Sequence, residues 1–217
     1  MLLTILYLIG ITAESITGAL AAGREKMDIF GVIIIASVTA IGGGSVRDVL
    51  LGHYPLGWVK HPEYIVIVAG AAVLTVIIAP LMRYLKAVFL ILDALGLIVF
   101  SIIGAQVALT MGHGFIIASV AAIITGAFGG VLRDLLCNRI PLVFQKELYA
   151  SIAFLATAIY IGLQHTHIPQ DIVILITLAT GFLLRLLAIR FGLGLPVFDY
   201  QEDKNLSWVE KLPKRKK

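Results

Sequence analysis

Two copies of one pattern, Gly-Gly-x-x-Arg-Asp, bring charged residues and conformationally free glycines together inside apolar sequence. The copies occupy residues 43–48 and 129–134, and Gly42 precedes the first. Adjacent glycines are among the few causes of a sharp helix kink, so the pattern predicts that a helix breaks at each copy. Carbonyls released at membrane depth must be capped by protein or line a wet cavity. Such carbonyls could replace part of the hydration shell of a potassium or sodium ion, bound transiently at Gly43, Gly44, Gly129 and Gly130.

The charged half of each copy needs partners, because an unpaired Arg or Asp inside a membrane is costly. Neighbours at i and i+1 project from different faces of a helix, which argues against pairing within one copy. We therefore expect pairing between the copies, Arg47 with Asp134 and Arg133 with Asp48 or another buried acid. The four charges could form a structural clamp, and a clamp is compatible with lining a pore.

Two further acids lie in apolar context, Glu14 in the first apolar run and Asp93 in the fourth. Either could supply negative potential for a cation, or the partner that an arginine requires. We include Glu14 among the candidate ion-pathway residues. Arg185, in the last run, could pair with one of these acids or extend its head group towards the interface.

The chain that carries these residues has the composition of a membrane protein. Of its 217 residues, 59% are apolar and 14% charged, and the mean hydropathy is +1.00. A soluble domain is nearer half apolar and a quarter charged. Seven apolar runs approach the length that crosses a bilayer, so we expect an all-α integral membrane protein with seven transmembrane helices. The runs cover about Leu2–Ala22, Ile29–Gly44, Tyr64–Met82, Val88–Met111, Phe115–Leu136, Leu148–Leu163 and Ile172–Phe191.

The first six runs form a repeat, because shifting the chain by 86 residues aligns it with itself without a gap. Each copy holds three spans, and an odd number inverts the second copy relative to the first. We predict a first repeat at 1–86, an inverted repeat at 87–169, a seventh helix at 170–203 and a basic tail at 204–217, with kinks in the second and fifth spans. The aligned pairs include Gly10 and Gly96, Ser15 and Ser101, Gly18 and Gly104, Thr39 and Thr125, Arg47 and Arg133, Asp48 and Asp134, and Pro55 and Pro141.

The loops give an orientation. Lys and Arg concentrate in the segments that follow spans one, three, five and seven, all on one side of the predicted membrane. The positive-inside rule puts that side in the cytoplasm, so the N-terminus is expected outside and the C-terminus inside. The basic residues are Arg24, Lys26, Arg83, Lys86, Arg139, Lys146 and those of the tail, which we attribute to topology and to contact with lipid headgroups, not to nucleic acid.

Other kinds of site are poorly supported. No nucleophile elbow, phosphate-binding loop or zincin sequence is present, which argues against an enzyme, and no pattern calls for a cofactor. His165 and His167 have metal-like spacing without a nearby carboxylate or cysteine cluster, so we predict no metal site beyond transient potassium or sodium. The lone Cys137 is expected to be a packing residue.

The doubled motif at 43–48 and 129–134, in a seven-span chain of this length, resembles the prokaryotic branch of the trimeric intracellular cation (TRIC) channel family. That resemblance implies a homotrimer in the bacterial inner membrane, with a pore for potassium and sodium in each protomer. It also implies a pore lined around the kinked second and fifth spans. On this basis the kink and carbonyl residues are Gly42, Gly43, Gly44, Gly129 and Gly130, and the pore-side charges are Arg47, Asp48, Arg133 and Asp134.

Two other functional classes stay open at this point. The same bacterial proteins, of UPF0126 type, also carry the label of a glycine transporter domain. Inverted repeats with broken helices are typical of alternating-access carriers, and a zwitterion could use an Arg for its carboxylate and an Asp for its ammonium. A membrane scaffold that transports nothing is the third class.

Overall fold

The computed structural model describes residues 1–81, 85–145 and 148–196, and within these ranges all of the regular secondary structure is helical. The predicted tail at 204–217 and the loop residues Arg83 and Lys146 lie outside them. The α-helices of the described residues are α1 (Leu2–Arg24), α2 (Ile29–Leu51), α3 (Gly57–Lys60), α4 (Glu63–Ile78), α5 (Leu85–Thr110), α6 (Phe115–Leu136), α7 (Tyr149–Gln164) and α8 (Gln170–Phe191), with 3-10 turns at Ala79–Leu81 and Leu142–Phe144.

The ends of α2 follow from local sequence. The Asp28 side chain accepts a hydrogen bond from the Gly31 amide at 2.7 Å, which caps the first turn. Gly52 ends the helix in the left-handed region at φ 66°, where glycine carries no steric penalty. These two residues fix the length of the helix that carries the first copy of the motif.

Five helices, α1, α2, α5, α6 and α8, are long and apolar enough to cross a membrane. The third and sixth predicted spans correspond to α4 and α7, which are apolar but have 16 residues each. At 1.5 Å per residue such a helix reaches about 24 Å, somewhat less than a typical hydrocarbon core. The structure therefore has five helices of full spanning length and two shorter ones at the predicted positions.

The predicted helix breaks are absent. α2 continues through Gly42 to Gly44, and α6 continues through Gly129 and Gly130. Glycine costs only about 1 kcal/mol in a helix, and close packing against a neighbouring helix offsets that cost where a β-carbon would not fit. A kink without loss of the helical pattern stays a prediction.

Gly10, Gly18, Gly96 and Gly104 allow neighbouring helices to approach closely. A β-carbon at Gly18 would lie 2.7 Å from the Cα of Ala36 on α2, and one at Gly104 would lie 2.6 Å from the Ala121 carbonyl oxygen on α6. Gly10 faces the Phe100 ring, and Gly96 faces the side chain of Glu14. All four glycines therefore bring one helix against another.

Helix bounds and contacts recur at the 86-residue offset. α4 and α7 begin and end at equivalent positions, and so do the starts of α2 and α6. The Gly18 contact with Thr39 has its counterpart in the Gly104 contact with Thr125. Each threonine hydroxyl donates to the carbonyl four residues earlier, at 2.6 Å in both cases. The two halves of the chain therefore use the same local packing.

Candidate functional site

The first glycine of each motif lies where α2 and α6 cross. A β-carbon at Gly43 would overlap the carbonyl oxygen of Thr125, and one at Gly129 would overlap the carbonyl oxygen of Thr39. Residue 39 thus meets 129 while residue 43 meets 125, so the two helices run antiparallel through the crossing. Both glycines are buried, and no larger residue would fit at this approach.

The second glycine of each motif leaves room for the arginine three residues later. A β-carbon at Gly44 would lie 3.8 Å from Nη2 of Arg47, and one at Gly130 would lie 3.4 Å from Nη2 of Arg133. Helical side chains lean towards the N-terminus of their helix, so each guanidinium lies over the preceding turn. Gly42, before the first motif, faces a methyl group of Leu132 instead.

Asp48 pairs with its own neighbour. Nε and Nη2 of Arg47 donate to Oδ1 of Asp48 at 2.9 and 2.7 Å, and both residues are buried. The predicted pairing of Arg47 with Asp134, and of Arg133 with Asp48, is therefore wrong. The antiparallel crossing puts the C-terminal ends of α2 and α6 at opposite ends of the bundle, which keeps the two copies apart. The long arginine stem, folded back along the helix, makes the i, i+1 pair possible.

The segment between α2 and α4 folds back over this first pair. Nδ1 of His53 lies 3.0 Å from Oδ1 of Asp48. The indole N–H of Trp58, on α3, donates to the Ser45 hydroxyl at 3.2 Å, and that hydroxyl donates to the Ile41 carbonyl at 2.8 Å. Two hydrogen-bonded contacts therefore hold residues 53–62 against the end of α2.

Under this segment lies a cavity of about 210 Å³, which we call the α2-end vestibule. It extends from the covering segment to Thr125, at the α2–α6 crossing. Rings line one side, and the Tyr7 and Tyr64 centroids lie 4.8 Å apart. Its other lining residues include Gly44, Ser45, Arg47, Asp48, Trp58, Lys60, His61 and Phe100.

In the second motif the Arg-Asp step, Arg133 followed by Asp134, has a more deeply buried arginine than the first and more acids around it. Nε of Arg133 donates to Oδ1 of Asp134 at 2.9 Å, and Nη1 donates to Oδ1 of Asp93 at 2.8 Å. Oε2 of Glu14 lies 3.9 Å from the same Nη1. Arg133 is fully buried. The predicted alternative to Asp48 as its partner, another buried acid, is confirmed as Asp93.

Aromatic rings flank this cluster. The Arg133 guanidinium lies 4.6 Å from the centroid of the Phe89 ring, and Arg24 lies 4.7 Å from the same centroid. Arg185, from α8, lies 4.7 Å from the centroid of Tyr149. Both rings are buried, and cation–π contact stabilises guanidinium groups that are removed from water.

A second cavity, the α6-end vestibule, has a volume of about 1,050 Å³ and reaches Asp134 and Phe89. Phe144 and Val131 occupy the positions equivalent to Trp58 and Ser45, so the hydrogen bond that covers the first vestibule has no counterpart here. Phe144 is 71% exposed, and Arg139, equivalent to His53, pairs with Glu25 instead of Asp134. The two vestibules are therefore unequal, and this one is the more open. Its lining also includes Ile140, Leu142, Val143, Gln145, Leu195 and Pro196.

Cys137, directly after α6, is buried. Burial raises the pKa of its thiol, which keeps the thiol protonated and unreactive. The expected packing role agrees with this position. Within the ranges that the structure describes, no group of three or more His, Cys, Asp or Glu side chains could hold a metal ion.

Sequence reasoning did not assign several residues of these sites. Thr39 and Thr125 were visible as an aligned pair, yet only the contact geometry shows that their carbonyls face the opposing glycines. His53 and Trp58 were not singled out for a role in the site, because the contacts that they make to α2 depend on the path of the loop. Phe89 and Tyr149 were missed as well, because their rings carry no local motif.

Comparison with known proteins gives consistent matches along the chain. A family model described as glycine transporter matches residues 4–80 and again 90–165. The inner membrane protein YadS of Escherichia coli K12, of UPF0126 type, is 36% identical over 205 residues, covering 94% of this chain and 99% of YadS. A UPF0126 membrane protein of Vibrio cholerae is 37% identical, with coverage of 90% and 83%.

Solved structures match over similar lengths. A TRIC trimeric intracellular cation channel orthologue from Rhodobacter sphaeroides is 36% identical, with a TM-score of 0.84 over 88% of this chain and 99% of that one. A prokaryotic TRIC channel crystallised in 0.5 M KCl is 35% identical, with a TM-score of 0.82 and coverage of 90% and 99%. A Caenorhabditis elegans channel at 14% identity, with a TM-score of 0.59, shares the fold.

Proposed function

Because the chain belongs to the prokaryotic TRIC family, we propose that it is a channel for potassium and sodium, with one pore through each protomer of a homotrimer. It is a multi-pass protein of the bacterial inner membrane, since its relative YadS of Escherichia coli is named an inner membrane protein and the chain has several apolar helices of spanning length. The related proteins are channels and membrane proteins, not enzymes. The trimer and the cation specificity come from what the structural neighbours are named.

One observation carries the channel proposal. Two vestibules enter the protomer, each reaches the Arg-Asp step of one motif, and these steps lie at opposite ends of the bundle. Between them stands the α2–α6 crossing, where the carbonyls of Thr39 and Thr125 meet Gly129 and Gly43. A small separation of two helices packed through glycines would join the vestibules into a polar path.

The inverted arrangement of three, three and one spans belongs to the same proposal. It is supported by helix bounds that coincide at the 86-residue offset, by reciprocal glycine contacts and by the two matches of one family model. In an inverted repeat, equivalent surfaces face each other across a pseudo-twofold axis near the midplane. Thr39, Gly43, Thr125 and Gly129 have that relationship.

The motif residues take separate roles in this proposal. Gly43 and Gly129 form the crossing, while Gly44, Arg47 and Asp48 belong to the wall of the α2-end vestibule. In continuous helices the carbonyls of Gly43, Gly44, Gly129 and Gly130 already accept helical hydrogen bonds, so a role in ion binding requires a kink or local opening. Asp134 belongs to the wall of the α6-end vestibule, and Gly42, Gly130, Arg133 and Glu14 support the pathway from behind or beside it.

We place the α2-end vestibule outside and the α6-end vestibule in the cytoplasm. Arg24 and Arg139 lie near the end of the bundle that holds Asp134, whereas Lys60 lies at the other vestibule. The positive-inside rule then gives an external N-terminus and a cytoplasmic C-terminus. Anionic lipid headgroups are the expected partners of the basic side.

A carrier of glycine or another small zwitterion is the second candidate. The description of the family model favours it, and so does the inequality of the two vestibules. A carrier open to one side at a time would have one covered and one open entrance, as seen at Trp58 and Phe144. The channel and the carrier differ in whether the crossing ever opens with both vestibules accessible.

Electrical recording separates these candidates. Purified protein in a planar bilayer should give unitary currents in symmetric potassium chloride. Their amplitude should be far larger than the current that the turnover of a carrier could produce. Saturable counterflow of labelled glycine into proteoliposomes, with no unitary current, would replace the channel with the carrier. A scaffold would give neither signal from correctly assembled protein.

A further inference from the structure

Glu14 occupies an enclosed position between three helices. It lies in the middle of α1 and is 3% exposed. Its carboxylate packs on Gly96 of α5 so closely that a β-carbon there would overlap it. Oε2 lies 2.8 Å from the Thr17 hydroxyl and 3.9 Å from Nη1 of Arg133, beyond hydrogen-bonding distance. Among the residues that the structure describes, the only side chain hydrogen-bonded to this carboxyl is therefore the Thr17 hydroxyl.

The hydrogen bonds of Thr17 bear on whether the Glu14 carboxyl is protonated. Its Oγ1 lies 2.9 Å from the Glu14 carbonyl, 2.8 Å from Oε2 of Glu14 and 3.3 Å from Nη1 of Arg133. A hydroxyl has one hydrogen to donate and two lone pairs that accept. If it donates to the carbonyl and accepts from the guanidinium, the carboxyl must itself donate to the second lone pair. With an ionised Glu14 the single hydroxyl hydrogen would have to be shared between the carbonyl and Oε2, whereas a protonated Glu14 gives each of the three contacts a hydrogen of its own.

The charges around Glu14 lead to the same result. Asp93 and Asp134 already take Nη1 and Nε of Arg133, and the next cation, Arg185, lies over Tyr149. Among the described residues, three ionised carboxylates would exceed the two buried guanidinium groups, because the third one nearby, that of Arg24, is exposed. None of the five buried residues is more than 6% exposed. Excess charge in such a site is neutralised by a shift in protonation.

Two buried polar atoms in the cluster also lack a hydrogen-bond partner among the described residues, Oδ2 of Asp93 and Nη2 of Arg133. The acids do not converge on a point where a metal ion could sit within the described residues. A proton, by contrast, needs only one carboxyl oxygen to bind.

The remaining charged groups of the helices that pack on α1 have contacts of their own or, like Lys86 at the start of α5, are exposed. They stand at helix ends or in the other vestibule, where water or their own partners compensate them. Those on α1, α2 and α4 are Arg24 against Phe89, Asp28 at the start of α2, Arg47 paired with Asp48, and Glu63 beside His61.

We propose that Glu14 is a proton-binding site, protonated in this conformation and exchanging its proton through the α6-end vestibule, where Asp134 meets the cavity. On uptake, a hydronium ion transfers its proton to Oε2 of Glu14 and leaves as water. On release, the carboxylate stands 3.9 Å from Arg133 and competes with Asp93 and Asp134 for the guanidinium. Protonation is thereby coupled to the contacts that join α1, α5 and α6, whether the protein conducts or carries.

Infrared spectroscopy tests the proton directly. Wild type and Glu14→Gln, in lipid vesicles at neutral pH, should differ by one carbonyl stretch of a protonated carboxylic acid, which the variant loses. Thr17→Val should move that band to higher frequency, because the acid loses its acceptor. Asp171→Asn, at an exposed carboxyl on α8, should change only the ionised carboxylate bands. A Glu14→Gln difference confined to carboxylate bands would overturn the proposal.

The test does not depend on Glu14→Gln folding. If that variant fails to assemble, wild type labelled with carbon-13 at its glutamate carboxyls gives the answer by solid-state NMR. One glutamate resonance at the position of the protonated acid at neutral pH supports the site. If all glutamate carboxyl resonances lie at the position of the ionised form, the proposed protonation of Glu14 is contradicted. Neither measurement depends on current or flux. An ionised Glu14 would therefore overturn the proton site alone, and the electrical recordings would still decide the channel proposal.

Discussion

Gly43 on α2 lies against the carbonyl oxygen of Thr125 on α6, and no β-carbon fits between them. The equivalent residues of the other half repeat the contact, with Gly129 against the Thr39 carbonyl. Two such contacts hold the crossing together from both sides. At these two contacts glycine meets backbone, so separating the helices there breaks no hydrogen bond between side chains.

We expect Gly43→Ala and Gly129→Ala to destabilise the protein. Each added methyl group would overlap a backbone carbonyl, which cannot rotate away, so α2 and α6 must move apart. Overpacking of this kind costs about 1–3 kcal/mol. A lowered midpoint of thermal unfolding in detergent, with loss of oligomer on size exclusion, would show it.

Two glycines of the same chain provide controls. At Gly44 a β-carbon meets only the end of the Arg47 side chain at 3.8 Å, and at exposed Gly70 on α4 it meets nothing within 4 Å. Alanine at either position should leave the midpoint unchanged or raise it, because alanine is the better helix former. If Gly43→Ala and Gly44→Ala lowered the unfolding midpoint equally, the tight contact of Gly43 at the crossing would not be what determines stability.

These glycines also show how far sequence reasoning reaches. The Gly-Gly-x-x-Arg-Asp spacing and the 86-residue offset were enough to locate both motifs and the helices that carry them. Whether a glycine breaks a helix or admits a neighbour depends on what lies opposite, and here Thr125 and Thr39 lie opposite. The local pattern has no information about that neighbour, so it predicted a break where packing keeps the helix whole.

The arginine partners were mispredicted for a related reason. Pairing between the copies assumed that both charged steps reach the same depth, whereas antiparallel helices put Arg47 and Arg133 at opposite ends. Asp93 could be named as a candidate from its apolar context alone. Its contact with Arg133 at 2.8 Å, rather than with Arg185, required the three-dimensional arrangement.

Removing Arg133 should harm the protein more than removing Arg47. Arg133→Gln leaves Asp93 and Asp134 buried without their cation, and breaking a buried pair in this way costs about 3–5 kcal/mol. Arg47→Gln leaves Asp48 with a contact from His53, which is partly open to water. Yield of trimer and unfolding midpoint should fall steeply for the first variant and modestly for the second.

A double substitution checks the cause. If uncompensated charge is responsible, adding Asp93→Asn to Arg133→Gln should recover part of the loss, because one buried carboxylate is removed. The same Asp93→Asn in the wild-type background should be destabilising, since Arg133 then loses an ionic partner. Additive losses in the double variant would instead indicate that shape, not charge, sets the stability of the cluster.

Gly44→Leu should block conduction while the fold survives. Gly44 lies on the wall of the α2-end vestibule, and a leucine side chain would fill part of its volume of about 210 Å³. The expected result is loss of unitary current from protein that elutes as the wild-type oligomer. Gly70→Leu, on an exposed face, should conduct normally. Wild-type current through correctly assembled Gly44→Leu would remove this vestibule from the pathway.

Trp58→Phe should open the α2-end vestibule more often. The phenyl ring keeps most of the packing but loses the indole hydrogen bond to Ser45, worth about 0.5–1.5 kcal/mol, so the open fraction should rise about two- to tenfold. The rate at which a maleimide labels Ile41→Cys, in the vestibule wall, reports this in a Cys137→Ala background. Labelling of Val143→Cys in the α6-end vestibule should be unaffected, because the Trp58 bond does not cover that cavity. Equal rates at Ile41→Cys with and without the tryptophan would mean that other contacts of residues 53–62, such as that of His53 with Asp48, hold the segment in place.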